Sequence, residues 1–307
     1  MVKSVEFDKK IKKSFDLQDG YFSTVNENYF DEKYKEKLKV ILEQSKVFDK
    51  YINEWKPPSH HKKNKNLVKM CSIASSSRLC FLYFYERIEK AEIEVEKICP
   101  IKLIASQTKA HLDAYDKENN IYYECKCHEI CTSNHYMLKD KYGEILKKIF
   151  DITISEDNII AKERKGKNEK YIKLSLNDLG IETEDESFNN YLNALKRIDK
   201  NIKINVKNRS VYKLHFDVKQ LICHLIGIKN NNETGKEKIL KYIFFTPKDE
   251  LIECDKDIKN LYEVLEIEFS MIKNSRKISQ FLEENGIKLE YETIPVTNVD
   301  DIVIKNF

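Results

Sequence analysis

The chain has 307 residues, of which 41% are hydrophobic and 34% are charged, so it can bury a substantial core and solvate its surface. The formal net charge of +3 is weak evidence for a polyanionic partner, because it says nothing about local patches. Eight scattered cysteines disfavour a disulfide framework. The charged N-terminal sequence MVKSVEFDKKIKKSFD is unlike a secretory signal, and no apolar run reaches the ~20 residues that span a bilayer. We therefore expect a reduced, cytoplasmic protein without membrane association.

Helical spacing of apolar residues predicts two helices in the N-terminal third. The first covers residues 21–55 and ends at the sequence WKPP, because proline cannot continue the hydrogen-bond ladder. The second covers residues 67–90, with Ser75 to Ser77 in its middle. The chain is interpreted as an N-terminal helical extension over residues 1–60, followed by one domain over residues 61–307.

The apolar period then changes towards two, which predicts strands. Strands are expected at about 93–98, 110–115 and 121–128, and the turn sequence DKENN between the last two predicts a β-hairpin. The remaining predictions are a helix at 136–150, a polar and irregular insertion at 151–210, a helix at 216–226, a strand at 239–245, a helix at 257–284 and a strand at 287–294. This order predicts an α/β fold with a mixed β-sheet flanked by helices.

Three reactive side chains fall on the predicted hairpin. Asp113 lies on its first strand, whereas Glu124 and Lys126 share one face of its second strand because side chains alternate. The tight hairpin brings the two carboxylates side by side, and such a pair is tolerated when a divalent cation bridges it. We therefore predict a site for Mg²⁺, for which Mn²⁺ can substitute, with Asp113, Glu124 and the backbone carbonyl of Cys125 as ligands. Lys126 would orient or deprotonate a water molecule and offset charge on a phosphate.

A simpler interpretation competes with this one. A strand that carries Glu and Lys on one face is usually a solvated surface with a cross-strand ion pair. The position of Asp113, the apolar flanks and the order of the elements favour the catalytic interpretation.

The segment LDAYDKENNIYYECK resembles the motif of the PD-(D/E)XK nuclease superfamily, in which an aspartate is followed by a hairpin and then by Glu-x-Lys. The order helix, three strands, helix, strand is also similar to the core of that superfamily. The segments MCSIASSSRLCFLYF, YECKCHE, KQLICHLIGI and KYIFFTPK together resemble a bacterial restriction-endonuclease-like branch, over roughly residues 67–295 with 151–210 unmatched.

The sequence departs from the superfamily pattern at two places. His111 and Leu112 precede Asp113, so the proline that names the motif is absent, and Ser77 stands where a glutamine is expected in the serine-rich helix. The resemblance implies a restriction-endonuclease-like core and Mg²⁺-dependent hydrolysis of phosphodiester bonds. It also supports Gln220, on the helix predicted at 216–226, as a residue that reaches the metal site; the alternative is a capping or surface glutamine.

Two further signals are interpreted as structural. His224 lies four residues after Gln220 on the same helix face and is expected to be a structural histidine. Cys125, Cys127, His128 and Cys131 suggest zinc, but their spacing is poor and small core residues are the better account.

The predicted function is that of a Mg²⁺-dependent endonuclease acting on DNA, of a restriction or defence type. A homodimer is expected, because cleavage of a duplex commonly needs two active sites. Two alternatives remain: a repair or structure-selective nuclease of the same fold that acts on branched or RNA substrates, and a non-catalytic nucleic-acid-binding module.

Overall fold

The structure of the protein is a computed structural model. It describes residues 29–56, 68–72, 75–101, 109–127, 137–164, 167–174, 176–181, 186–198, 216–231, 237–247, 256–299 and 301–305.

Within these ranges the chain forms eight strands and eight α-helices. The strands are β1 (Ile93–Pro100), β2 (Lys109–Asp116), β3 (Ile121–Lys126), β4 (Met137–Lys139), β5 (Ile159–Arg164), β6 (Lys167–Lys173), β7 (Lys238–Thr246) and β8 (Ile287–Pro295). The helices are α1 (Glu32–Gln44), α2 (Ser76–Glu89), α3 (Gly143–Phe150), α4 (Glu186–Ile198), α5 (Val218–Asn230), α6 (Lys256–Asn274), α7 (Arg276–Glu284) and α8 (Ile302–Lys305).

The main sheet has five strands in the order β1-β2-β3-β7-β8. The first three strands are antiparallel neighbours, whereas β3, β7 and β8 run parallel. Parallel neighbours need a crossover connection, and here α5 lies in the connection before β7 while α6 and α7 lie in the one before β8. The predicted mixed sheet flanked by helices is therefore confirmed.

Helices cover both faces of this sheet, as two adjacent residues of β3 show. Cys125 contacts Cys80 of α2, whereas Glu124 contacts Gln220 of α5. Since successive side chains of a strand point to opposite faces, α2 and α5 lie on opposite sides. Helix α5 approaches closely at Gly227, where an added Cβ would lie 2.7 Å from the Cβ of Ala110 on β2.

The N-terminal helices are shorter than predicted. In place of one helix over 21–55, α1 ends at Gln44 and a 3₁₀ turn follows at Phe48–Tyr51; residues 21–28 lie outside the described residues. The second predicted helix was wrong in its first part, because α2 begins only at Ser76. Ser75 caps it by accepting a hydrogen bond from the amide of Arg78 (3.2 Å), so the serines start the helix rather than occupy its middle.

The segment predicted to be an irregular insertion contains regular structure. Strands β4, β6 and β5 form a second, three-stranded sheet in that order, and α4 follows. Of the helix predicted over 136–150, Met137–Lys139 form strand β4, Asp140–Tyr142 form a 3₁₀ turn, and the α-helix begins only at Gly143. The helix predicted over 257–284 is broken at Ser275, whose extended backbone separates α6 from α7. Strand β3 ends at Lys126, and His128 lies outside the described residues.

A buried arginine ties the N-terminal region to the C-terminal one. Nη1 of Arg78 on α2 donates to the Tyr34 hydroxyl of α1 (3.0 Å), which in turn donates to Asp301 (2.9 Å) just before α8. The guanidinium also lies over the ring of Phe30, 4.4 Å from its centroid. The first sixty residues thus include described elements that belong to the common core. No helix in the described part of the chain is both long and apolar enough to cross a membrane.

Candidate active site

The candidate site is centred on Glu124, which is 2% exposed on β3. Its Oε1 accepts hydrogen bonds from the Lys126 ammonium (2.5 Å) and from the Gln220 amide nitrogen (2.7 Å). Lys126 reaches it because residues two apart on a strand share a face. A carboxylate withdrawn from water is costly unless charged and polar partners surround it, and these two donors supply that compensation.

Gln220 reaches the site because of where α5 begins. The Asp217 side chain caps this helix by accepting a hydrogen bond from the Gln220 amide (2.8 Å), which fixes the first turn. The Gln220 side chain then projects to β3. The structure therefore brings together Glu124, Lys126 and Gln220, three of the residues predicted for the site.

His224 lies one turn later on α5 and faces the same carboxylate. Burial and the nearby Lys126 ammonium lower the pKa of His224 to about 3. The imidazole is then neutral near neutral pH, so its Nε2, 3.6 Å from Oε2 of Glu124, does not form an ion pair. The Nδ1 atom lies 3.2 Å from the Tyr242 hydroxyl. These contacts favour a structural histidine over a general base.

Asp113 lies on β2 beside the end of the hairpin ladder. The pairing of β2 with β3 ends at Ala114 opposite Tyr123, which places Asp113 opposite Glu124. Beyond that point Oδ2 of Asp113 accepts a hydrogen bond from the Cys125 amide (2.7 Å). The carboxylate thus replaces the partner that a continuing strand would offer, and it lies in the gap between β2 and β3.

Cys125 contributes its backbone to this gap rather than its side chain. In a strand the amide and carbonyl of one residue face the same neighbour, so the carbonyl of Cys125 also faces the Asp113 side. The thiol points the other way, towards Cys80. Burial and the hydrogen bond to Cys80 raise the pKa of the Cys125 thiol, which disfavours a zinc thiolate. Cys127 is buried as well, while His128 and Cys131 lie outside the described residues.

The donor set fits a hard divalent cation. Two carboxylates and a backbone carbonyl are oxygen ligands of the kind that Mg²⁺ and Mn²⁺ prefer. Among the described residues, no group of three or more His, Cys, Asp and Glu side chains is arranged to hold a metal ion. A cation bound by Asp113 and Glu124 would therefore complete its coordination with waters, as Mg²⁺ usually does.

Two residues near the site were not anticipated from the sequence. Glu96 on β1 has its pKa raised to about 8, by burial first and then by the carboxyls of Asp113, Glu54 and Glu124. Tyr51, from the N-terminal 3₁₀ turn, is 1% exposed and lies within electrostatic reach of Asp113 and Glu96. A glutamate on a strand and a tyrosine in an amphipathic segment carry no sequence signal for such a role, because only tertiary packing brings them here.

Comparison with protein-family models, with curated proteins and with solved structures gives no match in any of the three. The function is therefore inferred from the hairpin residues, their geometry and the order of the elements.

Proposed function

We propose that the protein is a Mg²⁺-dependent endonuclease that hydrolyses phosphodiester bonds of DNA, of a restriction or defence type. The observation that carries the proposal is the convergence on one buried carboxylate: Lys126 and Gln220 both donate to Glu124, and Asp113 lies beside the amide of the intervening residue. A solvated surface ion pair would not be 2% exposed at its carboxylate.

Each residue has a distinct part in the proposed reaction. Asp113, Glu124 and the Cys125 carbonyl hold the cation. Bound Mg²⁺ would polarise the scissile phosphate and lower the pKa of an attacking water. The Lys126 ammonium orients that water and offsets negative charge that develops on the phosphate oxygens. Gln220 keeps the Glu124 carboxylate in position, since its amide binds an oxygen of that group.

The order of the elements supports a restriction-endonuclease-like core. Helix α2 is followed by the three antiparallel strands β1 to β3, then by α5 on the opposite face and by β7, which pairs parallel with β3. This is the order that the PD-(D/E)XK resemblance implies. The second sheet and α4 are then additions to that core. We further propose that the enzyme acts as a homodimer, since two strands of a duplex need two cuts.

The first test compares Lys126→Met with Lys241→Met. Lys241 is a matched control because it also lies on a strand of the main sheet and pairs with a glutamate, Glu292, at 2.5 Å. It lies opposite Tyr123, the residue before Glu124, so its side chain is on the other face of the sheet from Glu124. Supercoiled plasmid is incubated with each protein in Mg²⁺ and in EDTA. We expect cleavage to require Mg²⁺, to fall about 10²–10³-fold in Lys126→Met and to persist in Lys241→Met.

Two results would contradict the proposal. Cleavage that survives the loss of Lys126 would show that another site, or another protein, is responsible. Intact plasmid and genomic DNA with Mg²⁺ and with Mn²⁺ would overturn DNA hydrolysis, and a single-stranded RNA substrate would then test the alternative nuclease.

A further inference from the structure

We propose that His224 and Tyr242 are positioning residues for the proposed reaction: they orient the Glu124 carboxylate so that its Oε2 binds the catalytic cation. The inference rests on the proposed function for the presence of that cation. It adds the ligand atom and two residues, on α5 and β7, that lie outside the hairpin. Neither residue reacts with the substrate.

The two oxygens of Glu124 have different surroundings. Oε1 accepts hydrogen bonds from both the Lys126 ammonium (2.5 Å) and the Gln220 amide (2.7 Å). A carboxylate oxygen has two lone pairs, so these two donors use the acceptor capacity of Oε1. A cation at that oxygen would also be repelled by the adjacent Lys126 ammonium. The cation is therefore expected to bind through Oε2.

His224 lies at this second oxygen. It follows Gln220 by four residues on α5, so one face of the helix presents both side chains to the same carboxylate. The Nε2 atom of His224 lies 3.6 Å from Oε2 of Glu124. This separation exceeds hydrogen-bond range, so the imidazole acts on Oε2 through its N–H dipole and by restricting rotation of the carboxylate. Gln220 and His224 thus hold the carboxylate at both of its oxygens.

The strands on either side of β3 fix the His224 ring. Its Nδ1 lies 3.2 Å from the Tyr242 hydroxyl of β7, and a hydrogen bond joins the ring to the backbone of His111 on β2. Because Tyr242 is paired opposite Glu124 in the sheet, its side chain lies on the same face as that carboxylate. Both His224 and Tyr242 are at most 2% exposed, so water does not compete for these contacts.

The direction of the hydrogen bond between Tyr242 and His224 follows from the chemistry of the groups. A carboxylate can only accept, so the neutral imidazole carries its N–H at Nε2, facing Glu124, and Nδ1 is the acceptor. The Tyr242 hydroxyl therefore donates to Nδ1. Burial first, and then the Glu124 carboxylate, raise the pKa of Tyr242, so the hydroxyl keeps the proton that it donates. Without this hydroxyl the N–H of His224 would no longer be held towards Oε2.

Tyr291 provides a matched control for Tyr242. It is paired opposite Tyr242 on β8, and both rings pack against Phe244 and Phe269. Its hydroxyl is buried but has no hydrogen-bond partner within the part of the chain that the structure describes. Tyr291→Phe therefore removes the same oxygen atom from the same layer of rings without changing the contacts of Glu124.

The test measures Mn²⁺ affinity by isothermal titration calorimetry of the full-length protein without DNA. We expect Tyr242→Phe to bind Mn²⁺ about fivefold more weakly, as for one lost hydrogen bond, and Tyr291→Phe to bind it as tightly as the wild type. His224→Leu should weaken Mn²⁺ binding about tenfold, as is typical when a residue that orients a metal ligand is lost. His224→Gln should recover most of the affinity, because its amide can again donate towards Oε2.

Plasmid cleavage as a function of Mg²⁺ concentration gives a second readout. In Tyr242→Phe the Mg²⁺ concentration for half-maximal cleavage should rise about fivefold, whereas saturating Mg²⁺ should restore the maximal rate. A merely structural defect would lower the rate at every Mg²⁺ concentration.

Two results overturn the inference. Wild-type Mn²⁺ affinity in both Tyr242→Phe and His224→Leu would make the pair a packing feature of the core. An equal loss of affinity in Tyr242→Phe and Tyr291→Phe would assign the effect to the ring layer rather than to Glu124. Should His224→Leu fail to fold, the comparison of Tyr242→Phe with Tyr291→Phe decides the question, since each variant loses a single oxygen atom.

Failure of the proposed function gives a different result. Mn²⁺ that binds to the wild type and is lost in Glu124→Gln, without any cleavage of DNA, would overturn the nuclease; the Mn²⁺ affinities would still decide the role of His224 and Tyr242. A wild-type protein that binds no Mn²⁺ would overturn both proposals.

Discussion

Two buried glutamates in different regions of the molecule have different surroundings. Glu268 on α6 is fully buried, and its two oxygens accept separately from the Tyr191 hydroxyl (2.8 Å) and the Phe216 amide (2.8 Å). Glu124 on β3 is almost as buried, but Lys126 and Gln220 both donate to its Oε1. Burial of a carboxylate therefore does not by itself indicate a site, whereas the nature and placement of its hydrogen-bond donors do.

The two regions are connected by α5. The Glu268 carboxylate fixes the Phe216 amide immediately before this helix, Asp217 caps it, and Gln220 in its first turn reaches Glu124. The core region therefore supports the candidate site, because it determines where the first turn of α5 lies. Variants in each region should separate stability from activity.

The largest stability effect is expected for Glu268→Gln. A glutamine offers one acceptor and one donor, so either the Tyr191 hydroxyl or the Phe216 amide would face a donor. We expect the free energy of unfolding to fall by about 3 kcal/mol, since a buried donor without an acceptor and a lost charge-assisted hydrogen bond are both involved. Chemical denaturation followed by circular dichroism measures this change.

Glu124→Gln serves as the counterpart variant. It should abolish Mg²⁺-dependent cleavage while lowering the free energy of unfolding less than Glu268→Gln does. If Glu124→Gln were more destabilising than Glu268→Gln and retained cleavage, Glu124 would be a structural residue of the same kind as Glu268.

The hairpin and the placement of its two carboxylates and Lys126 could be predicted from the sequence because their signals are local. A turn sequence between two alternating segments sets the pairing, and alternation then fixes the faces of Glu124 and Lys126. The position of Gln220 could be anticipated only from the family resemblance. Its contact with Glu124 spans 96 positions of the chain, which no local pattern encodes.

The region from 137 to 198 could not be predicted in the same way. Strands β5 and β6 read IIAKER and KNEKYIK, in which charged residues dilute the alternation, and β4 pairs with β6 across more than thirty residues. The conformation of Glu96 was also beyond prediction, because a left-handed residue in a strand is imposed by tertiary structure.

The pH dependence of stability tests the surroundings of Glu124 a second time, through the neighbouring His224. The pKa of His224 is lowered from 6.5 to about 3 in the folded protein, so below pH 6.5 the unfolded chain binds a proton that the folded one does not. Stability from His224 is therefore complete above pH 6.5 and declines as the pH falls towards 3. Between pH 7.5 and 5 this loss is about 2 kcal/mol, at 1.36 kcal/mol per pH unit below 6.5.

The measurement compares the wild type with His224→Gln at both pH values in EDTA, so that no cation is bound to Glu124. The wild type should lose about 2 kcal/mol more than the variant on acidification. Groups that titrate in both proteins, including Glu96 with its raised pKa, cancel in this difference. An equal loss of stability in both proteins would mean that His224 is already protonated beside Glu124. The assignment of a neutral imidazole to the folded protein would then be wrong.

The smallest effect is expected at the cap that joins the two regions. Asp217→Ala removes the acceptor for the Gln220 amide, and loss of such a cap costs about 1 kcal/mol of stability. Because the same turn places the Gln220 side chain on Glu124, cleavage should fall further than this modest destabilisation explains. Asp217→Asn is the matched control, since asparagine caps a helix about as well as aspartate and should restore both stability and cleavage. If Asp217→Ala lowers stability but leaves the cleavage rate unchanged, Gln220 is not needed to position Glu124, and the core region does not support the candidate site through α5.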